Sequence, residues 1–470
     1  MTTDLLPKVE AEMKEKMSKL FNKILITGMT ITSDGWSDVR SRPLINLMGV
    51  SMDGAFFLTS FDTSGNIKTG EYISTPISNW KLGPEKPHTL VTENIIQVIT
   101  DSAANCVASG RLLEKKFPQL NFSRCSAHII DLILKDISNL YFITPIFVKC
   151  HRVLRFFKNH SFLKTEVEKK ANLTLVKPGE TRFATNYLVL SRLLKIKAAL
   201  KLTVIDDHVR HWVHLQDSKS QREFLEIESS VLNELLFWDE ISDLIKLFVD
   251  TDSPTISKIV PLFSKVLEKL KTANLRTFSQ EEIELIEEIN EKREATITND
   301  LHLVAYALDP FYADVWVHDD SRIINAVPRI CSKILGQKFK EKELESKVEL
   351  AKKQFLQYKL GNGIVMREVV QEERKTTNGF EWWMEYGCLM PELQYVAQRI
   401  LAQVSSSSSA ERNWSVFRGI HTDKRNRLGV EVPKSLVFAN FNSQVLKKMD
   451  AVDYNFNHKI LCELESEEAD

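Results

Sequence analysis

The stretch Asn94–Ile137, NIIQVITDSAANCVASGRLLEKKFPQLNFSRCSAHIIDLILKDI, decides the fold class. It opens on a β-branched apolar run that ends at Asp101 and passes into SAANCVASGRLLEKKF, which has helical spacing. A second short strand, NFSRCSA, follows, and then a helix with Ile130, Ile133, Leu134 and Ile137 on one stripe. Alternating strands and helices are the signature of an α/β sheet. Upstream, MTITSDGW, LINLMGVS and AFFLTSF are short β-branched or aromatic runs divided by Gly, Ser and Asp, close enough in sequence to form a meander. Three meander strands, a crossover and two further strands predict a sheet with mixed pairing.

From about residue 140 to residue 390 the strand signal fades, and segments such as VLNELLFWDEISDLIKLFV carry helical periods without a fixed repeat, which predicts a large all-helical block. A chain of 470 residues exceeds one core, so about three domains, or one large domain with an insertion, are expected. Hydrophobic content of 43% and charge of 27% are those of a folded protein, and a net charge of −1 excludes a uniformly basic one. Six cysteines without paired short spacings read as reduced thiols. The charged, amphipathic N-terminus carries Val9, Met13, Met17, Leu20 and Phe21 on one stripe, and no run is apolar enough to span a bilayer. A soluble, intracellular protein is the expectation.

Charge is uneven inside the helical block. Lys149 to Lys201 holds thirteen Lys or Arg against three Glu, interleaved with Phe156, Phe157, Phe162, Phe183 and Tyr187. Such a stretch suits a phosphate backbone, and it equally suits a solvated helix face. Ser279 to Asp300 reverses the balance, with eight acidic residues against Lys292 and Arg293.

Two aspartates, Asp34 and Asp101, each end an apolar strand. Singly, each reads as a turn or a helix cap, with Asp38 open to either role; together at one sheet end they could hold a divalent cation. Cys125 and His128 form a Cys-x-x-His with no second pair at finger spacing, which favours a buried thiol and a hydrogen-bonded imidazole over zinc. In VSSSSSAERNWS, Val404–Ser415, a serine run typical of linkers sits between apolar-rich segments. Ser408 and Glu411 fit a capping box, with Trp414, Phe417 and His421 following on one face. Phosphate-binding glycine loops and a nucleophile elbow are missing, so NTPase, dehydrogenase and serine-hydrolase chemistries lack support.

Taken in order, SDGWSDVRSRPLINLMGVS, the 94–137 stretch, KPGETRFATNYLVLSRLL, VAYALDPFY, EWWMEYGCLMPELQYVAQRILAQVSSSSSAERNWSVFRGIHTDKRNRL and VFANFN resemble the hAT superfamily of DNA transposases, in the subgroup common in plants. The resemblance implies an RNase H-like α/β fold interrupted by a large all-α insertion. Its layout would be an N-terminal helix (1–24), the first part of the core (25–145), the insertion (146–388), the final core helices with the dimerisation region (389–446) and an acidic tail (447–470). It implies a catalytic triad of Asp34, Asp101 and Glu411 binding two Mg²⁺ or Mn²⁺ ions, with Cys125 and His128 supporting the site. Arg182, Phe183, Arg412, Lys424, Arg425 and Arg427 would contact DNA. Trp414, Phe417, Leu436, Val437, Phe438 and Phe441 would serve dimerisation.

The partners implied are DNA and a second copy of the chain, in the nucleus, with no membrane and no small-molecule substrate. Two departures from the family pattern are mild, Phe183 for the frequent Trp and Ser102 for the frequent Asn. A third concerns the N-terminus, where a BED-type finger has no room ahead of Asp34. The alternative is a transposase-derived protein that dimerises and binds nucleic acid without cutting it.

Overall fold

The computed structural model describes residues 2–38, 40–79, 94–175, 185–232, 235–247, 256–272, 277–313, 320–361, 368–420 and 431–452. Helices α1 (Thr2–Lys16) and α2 (Ser18–Thr27) lead into strands β1 (Met29–Ser37), β2 (Pro43–Ser51) and β3 (Gly54–Asp62). Helix α3 (Gly70–Asn79), strand β4 (Ile95–Thr100), α4 (Ala104–Lys116), β5 (Asn121–Arg124) and α5 (Ser126–Ser138) follow. Then come α6 (Thr144–Asn159), α7 (Ser161–Ala171), α8 (Thr185–Val204), α9 (Asp207–His214), α10 (Ser218–Leu232), α11 (Leu235–Leu247), α12 (Ile259–Thr272) and α13 (Gln280–Ile297). The last are α14 (Asp300–Leu308), α15 (Ser321–Leu335), α16 (Glu341–Lys359), α17 (Glu368–Glu373), α18 (Gly379–Tyr386), α19 (Pro391–Leu401), α20 (Ser408–Ile420) and α21 (Glu431–Val452).

The chain divides into two compact units, one of Met1–Ala127, Ser253–Val260 and Ile297–Asp470, the other of His128–Asp252 and Pro261–Thr296. The helices from 297 to 388 therefore group with the strands, where the sequence reading puts them in one helical block with 146–296. Their physical reason is a shared core: Leu301, Val304 and Leu308 of α14 pack with Ile330 and Ile334 of α15, Trp382 and Trp383 of α18, and Val396 and Ile400 of α19. The other unit is helical, built on Phe157, Leu163, Leu193, Leu200, Phe224, Phe237 and Ile286.

In the first unit the five strands lie in the order β3-β2-β1-β4-β5. β1, β2 and β3 form the expected antiparallel meander, and β4 and β5 join it in parallel. Side-chain alternation gives the two faces different chemistry. One face is apolar, with Ile31, Leu47, Phe56 and Val98 packed among Leu20, Ile24, Ile77 and Leu113. At Gly110 an added Cβ would lie 2.2 Å from the Phe122 ring, so only glycine lets α4 approach β5 this closely. The opposite face presents Thr30 and Thr32 of β1, Asn46 of β2 and Gln97 of β4, all fully buried. A buried polar face needs partners that donate and accept hydrogen bonds.

Those partners come from the serine run. Gln403 accepts from the Thr30 hydroxyl (2.9 Å) and donates to the Thr27 carbonyl (2.9 Å), while Gln97 donates to the Val404 carbonyl. The Ser126 amide donates to the Ser405 carbonyl (2.9 Å), the Ser407 amide meets Cys125 Sγ (3.3 Å), and Ser409 Oγ lies 3.0 Å from Thr32 Oγ1. The segment that looks like a linker is thus docked across β5, β4 and β1, its small hydroxyl side chains satisfying a polar surface that apolar ones would leave unpaired.

The edge strand is managed in a similar way. Asn442 of α21 is fully buried, accepts from the Phe57 amide (2.7 Å) and donates to the Phe57 carbonyl (3.1 Å), taking the place of a neighbouring strand on β3.

Candidate active site

Register brings the two aspartates level. Thr30 pairs with Gln97, Ile31 with Val98 and Thr32 with Ile99, so two further residues on each strand set Asp34 beside Asp101 on the polar face. β4 pairs with β5 through Thr100 and Arg124, which puts Cys125 next in the same row, its amide donating to the Thr100 carbonyl (2.8 Å). The closeness of the carboxylates has a chemical consequence. Burial pushes the Asp34 carboxyl up to about 6, and the Asp101 charge adds to that rise, against hydrogen bonds from the Gly35 amide and the Trp414 indole.

Asp34 is held from three sides. Trp414 Nε1 donates to its Oδ2 (3.0 Å), and its own amide donates to Asn46 Oδ1 (3.1 Å). Asn46 in turn donates to the Ala410 carbonyl (2.8 Å), tying β2 and Asp34 to the first turn of α20. Trp36 stacks on Trp414 at 5.2 Å between ring centroids. Asp101 forms the turn that its sequence context suggests, its Oδ1 accepting from the Ala103 amide (2.9 Å). Cys106 adds a thiol beside the pair, and burial with the Asp101 and Asp34 charges drives its ionisation far up. Asp38 is structural, accepting from the Arg40 and Arg42 amides (both 2.9 Å) and pairing with the Arg42 guanidinium (2.7 Å).

Glu411 stands on the first turn of α20, three residues before Trp414, so the two share a flank of the helix. The helix starts at Ser408, one residue earlier than a capping serine at that position requires, and the Ala410 and Glu411 amides both point at the Ser407 carbonyl (2.9 and 3.3 Å). Among the described residues no group of three His, Cys, Asp or Glu side chains is placed to hold a metal ion. The strand register sets Asp34 and Asp101 level, and Glu411 stands on the first turn of the helix whose Trp414 donates to Asp34.

Comparison with known families completes the picture. Residues 1–153 match a domain of unknown function (DUF659), which spans all five strands and both aspartates. Residues 364–443 match the hAT family C-terminal dimerisation region. The chain is of the hAT transposase type. A search of curated proteins returned no match.

The dimerisation region supports homo-oligomerisation of this hAT-type chain. Trp414, Phe417 and Val437 are buried with Leu44, Met48 and Phe57 of the same chain, and Phe438 and Phe441 pack against that cluster. Leu436 is half-buried. The sheet of the same chain thus covers Trp414, Phe417 and Val437.

In the helical unit, Phe156 and Phe157 are core residues, Phe162 stacks on Trp212 (5.5 Å), and Arg152 pairs with Glu223 and Glu226. That part of the basic stretch is a helix face with its aromatics turned inward. Arg182, Phe183, Lys424, Arg425, Arg427 and His421 lie outside the described residues. Arg412 is exposed. Cys125 is the fully buried thiol that the sequence favours over a zinc ligand; His128, three residues on, is half-buried in the other unit. Asn46 and Gln97 were not singled out from sequence, although a lone amide inside an apolar strand is the available sign of such a role. No helix of the described residues is long and apolar enough to cross a membrane.

Proposed function

We propose that this hAT-type chain cuts and joins DNA strands in the nucleus by two-metal phosphoryl transfer at Asp34, Asp101 and Glu411, on an RNase H-like sheet with a helical insertion. One observation carries the reading: two carboxylates stand level at the ends of adjacent parallel strands, close enough that the Asp101 charge raises the Asp34 carboxyl. The strand order β3-β2-β1-β4-β5, with three antiparallel strands and two parallel ones, supports the RNase H-like assignment.

The donor chemistry suits a hard cation. Paired carboxylates with surplus negative charge are what Mg²⁺ or Mn²⁺ neutralises. Held by these carboxylates, such ions would supply Lewis acidity to the scissile phosphate and acidify an attacking water or 3′-hydroxyl. The protein's own part is orientation. Trp414 and Asn46 fix the Asp34 carboxylate and its backbone, the turn after β4 fixes Asp101, and the docked serine run sets the start of α20 beside them. Glu411 completes the donor set by turning its side chain onto the pair from the flank it shares with Trp414. Arg182, Phe183, Arg412, Lys424, Arg425 and Arg427 are the proposed DNA contacts, with Phe183 stacking on an unpaired base.

A second reading, a dimerising nucleic-acid-binding protein without catalysis, rests on the match to the hAT C-terminal dimerisation region. Nicking of supercoiled plasmid in Mn²⁺ separates the two. The catalytic reading expects Asp101→Asn and Glu411→Gln each to lower the nicking rate by about 10²-fold or more. Equal rates for wild type and Glu411→Gln would remove Glu411 from the site, and no nicking by wild type would favour the binding protein.

A further inference from the structure

Residues 63–69 lead from the end of β3 to α3, and the strand pairing sets that starting point near the aspartates: Asp62 pairs with Leu44, and Leu44 with Trp36, two residues past Asp34. The loop is tied down along its length. The Thr63 amide and hydroxyl both donate to the Pro43 carbonyl (2.8 Å each), and the Asn66 amide to the Thr63 carbonyl (3.2 Å). The Asn105 side chain on α4 donates to the Lys68 carbonyl (2.9 Å), and the Thr69 amide reaches back to the Ile67 carbonyl (2.8 Å), closing a tight turn about Lys68. At Gly70 an added Cβ would lie 2.7 Å from Ala108 Cβ, so the loop ends hard against α4.

This anchored loop leaves Ile67 84% exposed, the highest value for a large apolar side chain among the described residues. Single exposed apolar residues are common and need no function. Here the backbone is fixed, the tip lies beside the catalytic end of the sheet, and the next side chain is cationic. The Lys68 charge acts on the Cys106 thiol together with those of Asp101 and Asp34, which sets the lysine close to the carboxylate pair.

We propose that Ile67 is a wedge that enters a base step of DNA bound at the carboxylate pair, while Lys68 neutralises the adjoining phosphate. Apolar side chains inserted between bases unstack them and kink the duplex, and a fixed backbone makes insertion inexpensive in entropy. The inference rests on reading the site as one that acts on DNA.

The test uses the full chain in Ca²⁺ with a Y-shaped DNA that carries 2-aminopurine at the duplex–arm junction. Binding of wild type is expected to raise the fluorescence about threefold through unstacking. Ile67→Ser should abolish most of that rise while changing affinity by less than about threefold, and Ile67→Leu should retain it. Lys68→Gln should make binding less sensitive to salt, by about one unit of the log–log slope. A full rise with Ile67→Ser, or binding by wild type without a rise, overturns the wedge and leaves the cleavage reading intact. Failure of wild type to bind the DNA overturns both.

Discussion

Asp34→Asn is expected to make the metal-free protein more stable and, in the same molecule, to end strand cleavage. The folded chain holds the Asp34 carboxyl at about 6, against an ordinary 3.8, because it is buried and faces Asp101. Between those values the folded protein keeps a proton that the unfolded chain has released, so this group's contribution to stability falls as pH rises through the window. At neutral pH the charged carboxylate is therefore a burden of at most about 3 kcal/mol, from about 1.4 kcal/mol per pH unit. An asparagine keeps an acceptor for the Trp414 indole and carries no charge, so a gain of about 1–2 kcal/mol is expected in urea unfolding at pH 7.5 in EDTA. Nicking in Mn²⁺ should fall by about 10³-fold, the scale on which loss of a charge-stabilising group acts.

Metal should reverse the order of stability. Saturating Mn²⁺ is expected to stabilise wild type through linked binding and to leave Asp34→Asn nearly unchanged. His302 makes the choice of pH matter. Burial pushes this imidazole down to about 4, so between 6.5 and 4 the unfolded chain takes a proton that the folded one refuses, and stability falls as pH falls. The two groups oppose each other in acid, which is why the comparison belongs above pH 7. A variant less stable than wild type in EDTA at pH 7.5 would mean that Asp34 is a structural acceptor and not a strained ligand.

Trp383→Ala is expected to lower stability by about 3–5 kcal/mol, the range for emptying a buried tryptophan site. Trp383 is fully buried, donates to the Leu308 carbonyl (2.7 Å), and packs on Tyr358 (4.9 Å) and Trp382 (5.5 Å). Alanine leaves a cavity and an unpaired carbonyl together. The readout is the urea midpoint, with cleavage measured per folded molecule. Trp383 lies within the dimerisation-region match, so the variant also separates chain stability from assembly. A loss below about 1 kcal/mol would show that α18 is not part of the core.

The sheet was legible because each strand carries its own signal. The apolar runs of β1 to β4 stand between turn residues, and the helix after β4 has a clear period, so mixed pairing followed from order alone. The serine run was not legible as structure, because its ordering comes from Thr30, Thr32, Gln97 and Cys125, residues about 280 to 380 positions away. Local composition has no access to such partners. The same limit governs Trp414, Phe417 and Val437: an apolar stripe announces burial without saying whether the cover is a second chain or the same one. For the site, Asp34 and Asp101 could be paired from their matching strand-end contexts. Asn46 was lost inside an apolar strand, and the position of Glu411 depends on where α20 begins.

The central claim, that Asp34, Asp101 and Glu411 form one metal-binding site, is tested most directly by anomalous scattering from a crystal of the full chain grown with Mn²⁺. The expected result is Mn²⁺ density within about 2–2.6 Å of carboxylate oxygens of both aspartates, with the Glu411 side chain turned in as a further ligand. Saturating Mn²⁺ that leaves the aspartate pair without density, or that binds the pair while Glu411 stays away, would contradict it.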